Sequence, residues 1–466
     1  MSLKTAIRPT MFTYRAVHFH RQFFKLNLFK RLCSSNSDNG KGPSDNESKK
    51  SLNKADLFIP NRIKKRIEQK GLSLDDVEIY RGEKTSASSP DFLNTQSFPE
   101  DFSSTTTEPS DYQFPSEFDK YRQERRRQEK HAYRPTSIDP EDTSILFFPG
   151  QGSQFVGMGK KLLKYPGVEE IYHRASSILG YDLLNVCING PKETLDKTLF
   201  CQPAVVVTSL AAIEKLREEN PKALEHVVGS AGFSVGEITA LAASEMISFD
   251  DAIQLVKFRA EAMQVASDKA AGGMLTVICN HKTKLKTAMV AAKEYCRTKL
   301  GIEDPTCSIA NFLCLNVKVV AGDDAALTFL EQYGKEFDIV RMKRLPVSGA
   351  FHTDMMRQGI EGSREGKRFK KMFWNLQLNK PKFPVHRNYD GKIIQADEHL
   401  QQKEVNMLLK QYRTPVKWEQ TLHILYTRPK ETGFPRTYEV GPGKQLGVLL
   451  KNVNNLAYQG YKNVEV

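Results

Sequence analysis

The stretch HVVGSAGFSVGEITALAASEM, residues 226–246, determines how the rest of the chain is interpreted. An apolar run at 226–228 predicts a strand, a glycine-rich turn follows, and residues 238–246 have the small apolar side chains of a buried helix. Ser234 lies before that helix in a Gly-x-Ser-x-Gly pattern, and strand, tight turn and helix are the context of a nucleophile elbow. We therefore predict that Ser234 is a nucleophile at a helix N-terminus, where main-chain N–H groups can stabilise an oxyanion.

The two glycines of the pattern, Gly232 and Gly236, lie two residues on either side of the serine, where the strand and the helix crowd together. Because glycine has no Cβ atom, the strand and the helix can approach each other closely at both positions, as an elbow requires. The pattern is short and its residues are common, so a chance match is the alternative. A functional interpretation therefore needs a base, an oxyanion donor and a substrate anchor from elsewhere in the chain.

The composition predicts a soluble protein with room for two or three domains in its 466 residues. Much of the formal net charge of +13 lies in local clusters, so it is weak support for a nucleic-acid or anionic partner. The seven cysteines show no CxxC pair and no metal-ligand spacing, which indicates thiols in a reducing compartment and no metal site. No run approaches the roughly 18–20 apolar residues of a membrane span.

The N-terminal part of the chain has two compositions. Residues 1–37 are basic and rich in hydroxyl and aromatic side chains without any acidic residue, which predicts a mitochondrial transit peptide and a matrix location. A basic disordered arm is the alternative. Residues 38–140 are polar and of low complexity, which predicts disorder with a short charged helix at 57–79. The basic run at 121–131 is interpreted as a solvated face, with RNA contact as the less favoured alternative.

A folded α/β region is predicted from residue 141 onward. Residues 145–148 predict an apolar strand, and the loop after it lacks both the Gly-Lys-Ser/Thr end of a P-loop and the spacing of a dinucleotide-binding loop. We therefore place this loop at the carboxyl edge of a parallel sheet, where the amide of Gln151 can donate into a site. Residues 249–267 predict a helix on which Arg259 and Met263 share an apolar face. A buried unpaired charge is costly, so this helix alone favours an exposed or salt-bridged arginine.

The order of elements in residues 270–348 is strand, helix, strand, strand, helix, strand, which is a ferredoxin-like pattern. It predicts a small domain inserted into a larger one formed by residues 141–269 and 349–466. His352, one of ten histidines, lies where the chain re-enters the larger domain and is therefore a candidate base.

Eight short motifs follow one another between residues 144 and 455. They are FPGQGSQ (148–154), QPA (202–204), GFSVGE (232–237), KFRAEAMQ (257–264), IAN (309–311), GAFH (349–352), PVKW (415–418) and EVGPGKQL (439–446). Together they resemble the malonyl-CoA–acyl carrier protein transacylases, in their mitochondrial form. The resemblance implies an α/β-hydrolase-like large subdomain with the ferredoxin-like subdomain inserted into it.

The resemblance also implies an activity and partners. A malonyl group is transferred from malonyl-CoA to the phosphopantetheine thiol of acyl carrier protein through an acyl-serine, which supplies type II fatty acid synthesis. The enzyme is expected to bind no cofactor and no metal, to use the coenzyme A thioester as substrate and to be a monomer.

Residue by residue, the resemblance implies that Ser234 is the nucleophile and His352 its general base. The main-chain carbonyl of Gln411 orients the histidine in place of a triad acid. The main-chain N–H groups of Gln151 and Val235 form the oxyanion hole. The implied substrate-binding residues are Arg259, which binds the malonyl carboxylate, Met263, Asn311 in the site wall and Phe351 beside an unbranched acyl group.

One departure and two rival functions qualify this interpretation. Many bacterial relatives carry histidine before the nucleophile where this chain has Phe233, so His352 is the only histidine expected near the chemistry. A serine thioesterase or hydrolase on the same elbow would need an acidic triad member, for which Asp338 and Asp354 are not excluded. A non-catalytic RNA-binding scaffold with the same fold is the other rival.

Overall fold

The computed structural model describes residues 131–466 except 270, 348, 396–398, 400 and 429–431. The predicted transit peptide at 1–37, the predicted disordered segment up to residue 130 and the charged helix predicted within it lie outside the described residues. A short 3-10 helix, Pro140–Asp142, leads into the first strand.

The described strands form two five-stranded sheets. In chain order the strands are β1 (Ser144–Phe148), β2 (Val227–Gly232), β3 (Gly272–Ile278), β4 (Cys307–Cys314), β5 (Val317–Asp323), β6 (Arg341–Arg344), β7 (Val385–His386), β8 (Val416–Lys417), β9 (Arg436–Val440) and β10 (Tyr461–Val464). The first sheet has the order β10-β9-β1-β2-β7 and is parallel throughout. The second has the order β6-β3-β5-β4-β8 and is antiparallel except between β4 and β8. The α/β class is confirmed.

Helices cover the sheets and fill the connections between strands. They are α1 (Val168–Leu179), α2 (Leu183–Asn189), α3 (Lys192–Leu195), α4 (Thr198–Glu219), α5 (Lys222–Glu225), α6 (Gly236–Ala243), α7 (Phe249–Lys269), α8 (Leu285–Leu300), α9 (Asp324–Tyr333), α10 (Asp354–Glu361), α11 (Arg364–Trp374), α12 (Gln401–Lys410), α13 (Trp418–Tyr426), α14 (Gln445–Val453) and α15 (Asn455–Tyr458). Three further 3-10 helices are Lys160–Leu162, Gly334–Phe337 and Gln411–Arg413. Helix α4 has the length and apolar composition that a membrane crossing requires, but most of it is buried against α1, α6 and α7, as in a core helix.

The two central strands of the first sheet bring the predicted functional loops together. Every residue of β1 and β2 is buried, as expected for parallel strands that are covered on both faces. The strands are paired in register, so that Phe148 at the end of β1 lies opposite Gly232 at the end of β2. The loops that contain Gln151 and Ser234 therefore leave the same carboxyl edge of the sheet.

The second sheet is built mainly from residues 270–348. The elements β3, α8, β4, β5, α9 and β6 follow one another in the predicted order. The fifth strand, β8, comes from outside this range and pairs with β4 through Asn311 opposite Val416 and Phe312 opposite Lys417. This pairing connects the second sheet to the 3-10 helix Gln411–Arg413, which directly precedes β8.

One helix boundary near the site differs from the predicted one. Helix α6, predicted at 238–246, begins at Gly236 and ends at Ala243, before Glu245 adopts a φ of 60°. Glycines end two other helices, since Gly180 and Gly190 adopt positive φ angles after α1 and α2. Helix α9, the second helix of the ferredoxin-like pattern, ends at Tyr333, and a 3-10 helix follows it.

The glycines of the elbow allow main chain to approach main chain. A Cβ atom on Gly232 would overlap the main-chain carbonyl group of Gly236. A Cβ atom on Gly236 would overlap the main-chain oxygen atoms of Phe148 and Pro149 at the end of β1. These contacts are with main chain, so no side-chain rotation can relieve them, and the elbow can keep its place beside β1 only with glycine at both positions.

We expect Gly232→Ala to lower the free energy of unfolding by about 1–3 kcal/mol, because the added methyl group overlaps a neighbouring turn. Urea denaturation measures this change. Gly460→Ala is the matched control, since its Cβ atom would meet its nearest neighbours at 3.6 Å, an ordinary contact distance. Equal stability of the two variants would contradict the packing argument.

Candidate active site

Ser234 lies between β2 and α6 in a conformation that few non-glycine residues adopt. Its φ angle is 53°, in the left-handed region. The main-chain N–H of Ser234 donates to Oδ1 of Asn388 at 2.7 Å, and Nδ2 of Asn388 donates to the carbonyl oxygen of Gly232 at 2.6 Å. The two bonds hold both sides of the turn, so the side chain of Asn388 stabilises the elbow in its strained form.

The imidazole of His352 links the serine to a main-chain carbonyl. Nε2 lies 2.8 Å from Oγ of Ser234, and Nδ1 lies 2.8 Å from the main-chain oxygen of Gln411. A carbonyl oxygen only accepts, so Nδ1 carries the proton and neutral Nε2 is free to accept the serine hydroxyl. His352 also has a left-handed φ of 62°, and its side chain is buried.

The two acidic residues that the sequence left open do not contact this histidine, because both of its ring nitrogens already have the partners named above. Asp338 follows the 3-10 helix that connects α9 to β6. Asp354 begins α10 and forms an exposed ion pair with Arg357 at 3.4 Å. No Ser-His-Asp triad therefore forms in this arrangement.

Burial keeps the histidine neutral. Burial and, as a smaller contribution, the nearby positive charge of Arg259 together lower the pKa of His352 to about 4. The hydrogen bond to Gln411 acts in the opposite direction but is the weaker effect. The imidazole is consequently uncharged at neutral pH and able to take a proton.

Arg259 extends from α7 into the site and is only 2% exposed. Its Nη2 donates to Oγ of Ser234 at 3.1 Å and to Oε1 of Gln411 at 2.9 Å, while Nη1 donates to Oε1 of Gln202 at 2.6 Å. Within the described ranges it forms no ion pair, so the salt-bridged or exposed arginine that its helix alone favoured is wrong. Burial lowers the pKa of Arg259 to about 10, which still leaves a cation at neutral pH.

Gln202 connects the arginine to the loop that contains Gln151. The Nε2 atom of Gln202 lies 3.4 Å from Oε1 of Gln151 and 3.6 Å from the sulfur of Met263. The side chain of Gln151 in turn donates to Oγ1 of Thr198 at 3.2 Å. The predicted residues Gln151 and Met263 thus reach the site through one glutamine to which the sequence had assigned no role.

Three further predicted residues are buried, but the structure gives no hydrogen bond between their side chains and Ser234, His352 or Arg259. Val235 follows the nucleophile and is buried at the start of α6. Asn311 is buried in β4 opposite Val319 and Val416, and no hydrogen bond of its side chain to another described residue is found. Phe351 is buried in the same apolar cluster as Met263. The predicted roles of these residues stay predictions.

A solvent-accessible cavity of about 330 Å³ reaches His352 from the junction of the two sheets. Its walls come from the start of β4, the start of α10 and the segment before β8. The lining residues are Ser308, Ile309, His352, Thr353, Asp354, Arg413, Thr414 and Pro415. A molecule that enters this cavity reaches His352, whose Nε2 atom contacts Oγ of Ser234. Among the residues with assigned positions, no group of His, Cys, Asp and Glu is arranged to hold a metal ion.

Phe233, which stands where many bacterial relatives have histidine, has a packing role. Its ring contacts the ring of Trp418 edge to face, with centroids 5.5 Å apart. Its main-chain N–H donates to the oxygen of Phe148 at 2.8 Å, which continues the pairing of β1 and β2 into the elbow. The position thus contributes an aromatic contact to α13 and no titratable group.

Sequence reasoning missed three polar residues around the elbow, namely Gln202, Glu237 and Asn388. Glu237 is 3% exposed and accepts from the main-chain N–H of Asn388 at 2.5 Å and from Nε2 of Gln411 at 2.8 Å. Burial raises the pKa of Glu237 to about 7, while its hydrogen bonds and Arg259 act in the opposite direction. Its position in the first turn of α6 is only a weak signal in the sequence, because an acidic residue there is often present only to balance the helix dipole. Asn388 offers no comparable signal.

Comparisons with known proteins identify the family of the chain. The family model described as the acyl transferase domain matches residues 145–296. A probable mitochondrial malonyl-CoA–acyl carrier protein transacylase of Drosophila melanogaster is 48% identical over 328 residues, 70% of this chain and 84% of the relative. The mitochondrial malonyl-CoA–acyl carrier protein transacylase of Homo sapiens is 44% identical over 327 residues, 70% of this chain and 81% of the relative.

A solved structure agrees with these relatives. The malonyl-CoA–acyl carrier protein transacylase from Coxiella burnetii superposes with a TM-score of 0.60 at 27% identity, covering 70% of this chain and 95% of that one. Identity at this level over most of the relatives' length is sufficient to assign membership. The chain belongs to the family of mitochondrial malonyl-CoA–acyl carrier protein transacylases.

Proposed function

We propose that this chain is a mitochondrial acyltransferase that moves a malonyl group from malonyl-CoA to the phosphopantetheine thiol of an acyl carrier protein through an ester of Ser234. The relatives named above carry this activity and this location in their names. One observation of the site carries the proposal, namely a buried guanidinium that donates to the oxygen of Ser234 and that forms no ion pair with another described residue. A carboxylated acyl group fits this arrangement, because a carboxylate accepts strong hydrogen bonds from a guanidinium.

The acylation step uses Ser234 and His352. Nε2 of His352 takes the serine proton while Oγ attacks the thioester carbonyl carbon. The C–S bond then breaks, and the leaving sulfur receives the proton from the imidazolium, which yields coenzyme A and a malonyl ester. In the second half-reaction the phosphopantetheine thiol gives its proton to His352 and attacks the ester, and Ser234 recovers its proton.

The oxyanion of each tetrahedral intermediate is assigned to the main-chain N–H groups of Gln151 and Val235. Both residues lie at the carboxyl edge of the first sheet, after β1 and β2 respectively. Neither N–H has a hydrogen-bond acceptor among the residues that the structure describes. Two free donors beside the nucleophile support this role, since such donors are preorganised for charge that develops during the reaction.

The malonyl carboxylate is assigned to Arg259. In the free site its Nη1 and Nη2 atoms donate to two amide oxygens and a hydroxyl oxygen, which are neutral acceptors. A carboxylate forms stronger charge-assisted hydrogen bonds and can accept from both ends of a guanidinium. Met263, Asn311 and Phe351 are assigned to the surrounding acyl pocket, as the family resemblance implies.

The alternative functions have less support. A serine hydrolase of the usual kind would orient its histidine with a carboxylate, whereas His352 contacts the main-chain oxygen of Gln411. A non-catalytic scaffold would have no need for a buried base, a strained serine and a buried cation in mutual contact. The relatives are named as transacylases and not as hydrolases or RNA-binding proteins.

The proposal includes a domain arrangement. Residues 141–269 and 349–466 form an α/β-hydrolase-like subdomain around the parallel sheet, and residues 270–348 form a ferredoxin-like subdomain. The strand order β6-β3-β5-β4 supports the latter. A monomeric enzyme that binds no cofactor is part of the proposal, as the family resemblance implies. Residues 1–37 are proposed to direct import into mitochondria.

Radiolabelled malonyl-CoA tests the function. We expect the purified protein to become labelled on Ser234 and to pass the label to holo-acyl carrier protein, because a thiol can displace the ester. Ser234→Ala should abolish labelling, and apo-acyl carrier protein is the control acceptor. Recovery of label only as free malonate would mean a hydrolase.

Arg259→Ala tests the substrate anchor. We expect kcat/KM for malonyl-CoA to fall relative to that for acetyl-CoA by about 2–5 kcal/mol of transition-state stabilisation, the range for removing one partner of a buried charge pair. Arg174→Ala is the control, since that arginine is exposed and pairs with Asp250 at the start of the same helix. Equal losses for both acyl groups would remove Arg259 from the specificity role.

The pH dependence of Ser234 reactivity tests the base. Inactivation by phenylmethylsulfonyl fluoride, an uncharged reagent, should stay constant from about pH 8 down to about pH 5, because His352 is neutral above its pKa of about 4. Below that range the rate should fall as the imidazole becomes protonated. A midpoint near the ordinary histidine value would contradict the assignment. If the inactivation rate of the wild type changes near pH 7 and the rate of Glu237→Gln does not, that change reports the titration of Glu237 and not of His352.

A further inference from the structure

Gln411 contacts four groups of the site around Ser234, three through its side chain and one through its main-chain oxygen. Its Nε2 donates to the main-chain oxygen of Ser234 at 2.6 Å and to Oε2 of Glu237 at 2.8 Å. Its Oε1 accepts from Nη2 of Arg259 at 2.9 Å, and its main-chain oxygen accepts from His352. One amide therefore joins the elbow, the buried acid and the buried cation.

We propose that Glu237, acting through the side-chain amide of Gln411, is a positioning residue that directs Arg259 towards the acyl group and so sets the preference for a carboxylated substrate. This inference rests on the proposed function. It assigns a role to a side chain that contacts neither Oγ of Ser234 nor the ring of His352, and to which the family resemblance assigned no role.

The chemistry of hydrogen bonding gives the amide of Gln411 one favourable orientation. Glu237, when ionised, and the carbonyl oxygen of Ser234 can only accept, so the NH₂ end must face them. Arg259 can only donate, so the oxygen end must face it. Turning the amide over would set donor against donor at the arginine and acceptor against acceptor at the other two groups.

Glutamine at position 237 cannot replace the carboxylate in this network. Glu237 receives one donor at each oxygen, from the main-chain N–H of Asn388 and from Nε2 of Gln411. A glutamine has only one oxygen, so its NH₂ group must oppose one of these donors. The main-chain N–H of Asn388 cannot turn away, so the oxygen of the new glutamine must face it and the NH₂ group must face Gln411. The amide of Gln411 must then either oppose a donor or turn over, and turning over would point its NH₂ group at Arg259.

Charge acts in the same direction as geometry. Glu237 and Arg259 are both buried, and their charges stabilise one another across the amide that separates them. Removing the acid leaves the guanidinium with neutral neighbours only, and a buried cation of that kind tends to shift towards other acceptors or water. The direction of Arg259 thus depends on an acid that it does not contact.

The test compares acyl-enzyme formation from malonyl-CoA and acetyl-CoA by rapid quenching and intact-protein mass spectrometry, on the full chain at pH 8, where Glu237 is ionised. We expect Glu237→Gln to lower the ratio of the malonyl rate to the acetyl rate about 10-fold, a size typical of residues coupled in one network. Glu245→Gln removes a charge just after the same helix, from an exposed pair with Lys382, and should leave the ratio unchanged.

A double-mutant cycle separates positioning from general support of the fold. If Glu237 acts through Arg259, adding Glu237→Gln to Arg259→Ala should leave the malonyl-to-acetyl ratio of Arg259→Ala unchanged. Gln411→Ala keeps the main-chain oxygen for His352 but removes the amide, and should lower the ratio as Glu237→Gln does. This second variant keeps the proposal testable if Glu237→Gln does not fold.

The outcomes also separate this inference from the proposed function. A wild-type protein that forms no malonyl ester overturns the function and the inference with it. A wild-type protein that forms the ester, with an unchanged ratio in folded Glu237→Gln or Gln411→Ala, overturns the inference alone. Equal loss for both acyl groups likewise overturns it, because Glu237 then supports the elbow and not the arginine.

Discussion

The site depends on a positive charge that is kept out of water and that, among the residues with assigned positions, contacts no carboxylate directly. Burying a guanidinium is costly, and Arg259 is held by two amide oxygens and one hydroxyl oxygen. The surrounding polar groups are organised to make that burial possible. Gln202 and Gln411 present oxygen to it, Glu237 lies behind one of them, and the nucleophile itself accepts from it. Burial and, to a smaller extent, this cation lower the pKa of His352, so the proposed substrate anchor also helps to keep the proposed base neutral.

The elbow could be predicted from the sequence because its determinants are local. A buried strand, two glycines and a short helix surround Ser234 within one continuous stretch, and the structure shows the close main-chain contacts that require those glycines. The sheet assignment followed from apolar runs in the same way. The buried environment of Arg259 could not be inferred from its helix, because exposure is a property of what packs against the helix.

The polar network around the elbow could not be read from the sequence for a different reason. Asn388 and Gln411 contact the elbow from positions 154 and 177 residues away. Nothing in their own neighbourhoods marks them, since amide side chains are common in loops. The role implied for the carbonyl of Gln411 came from family resemblance, and its side-chain contacts were not anticipated. Strand β8 was indistinct because only two residues pair, and its partner β4 lies far away along the chain.

The pairing of β4 with β8 has an evolutionary consequence. The segment from Gln411 to Lys417 contains the carbonyl that orients the base, one wall of the entrance and the edge strand of the second sheet. An insertion or deletion in it would change the orientation of the base and the width of the entrance together. The length of this segment is therefore constrained from two sides at once, by the carbonyl that His352 contacts and by the cavity that the segment lines.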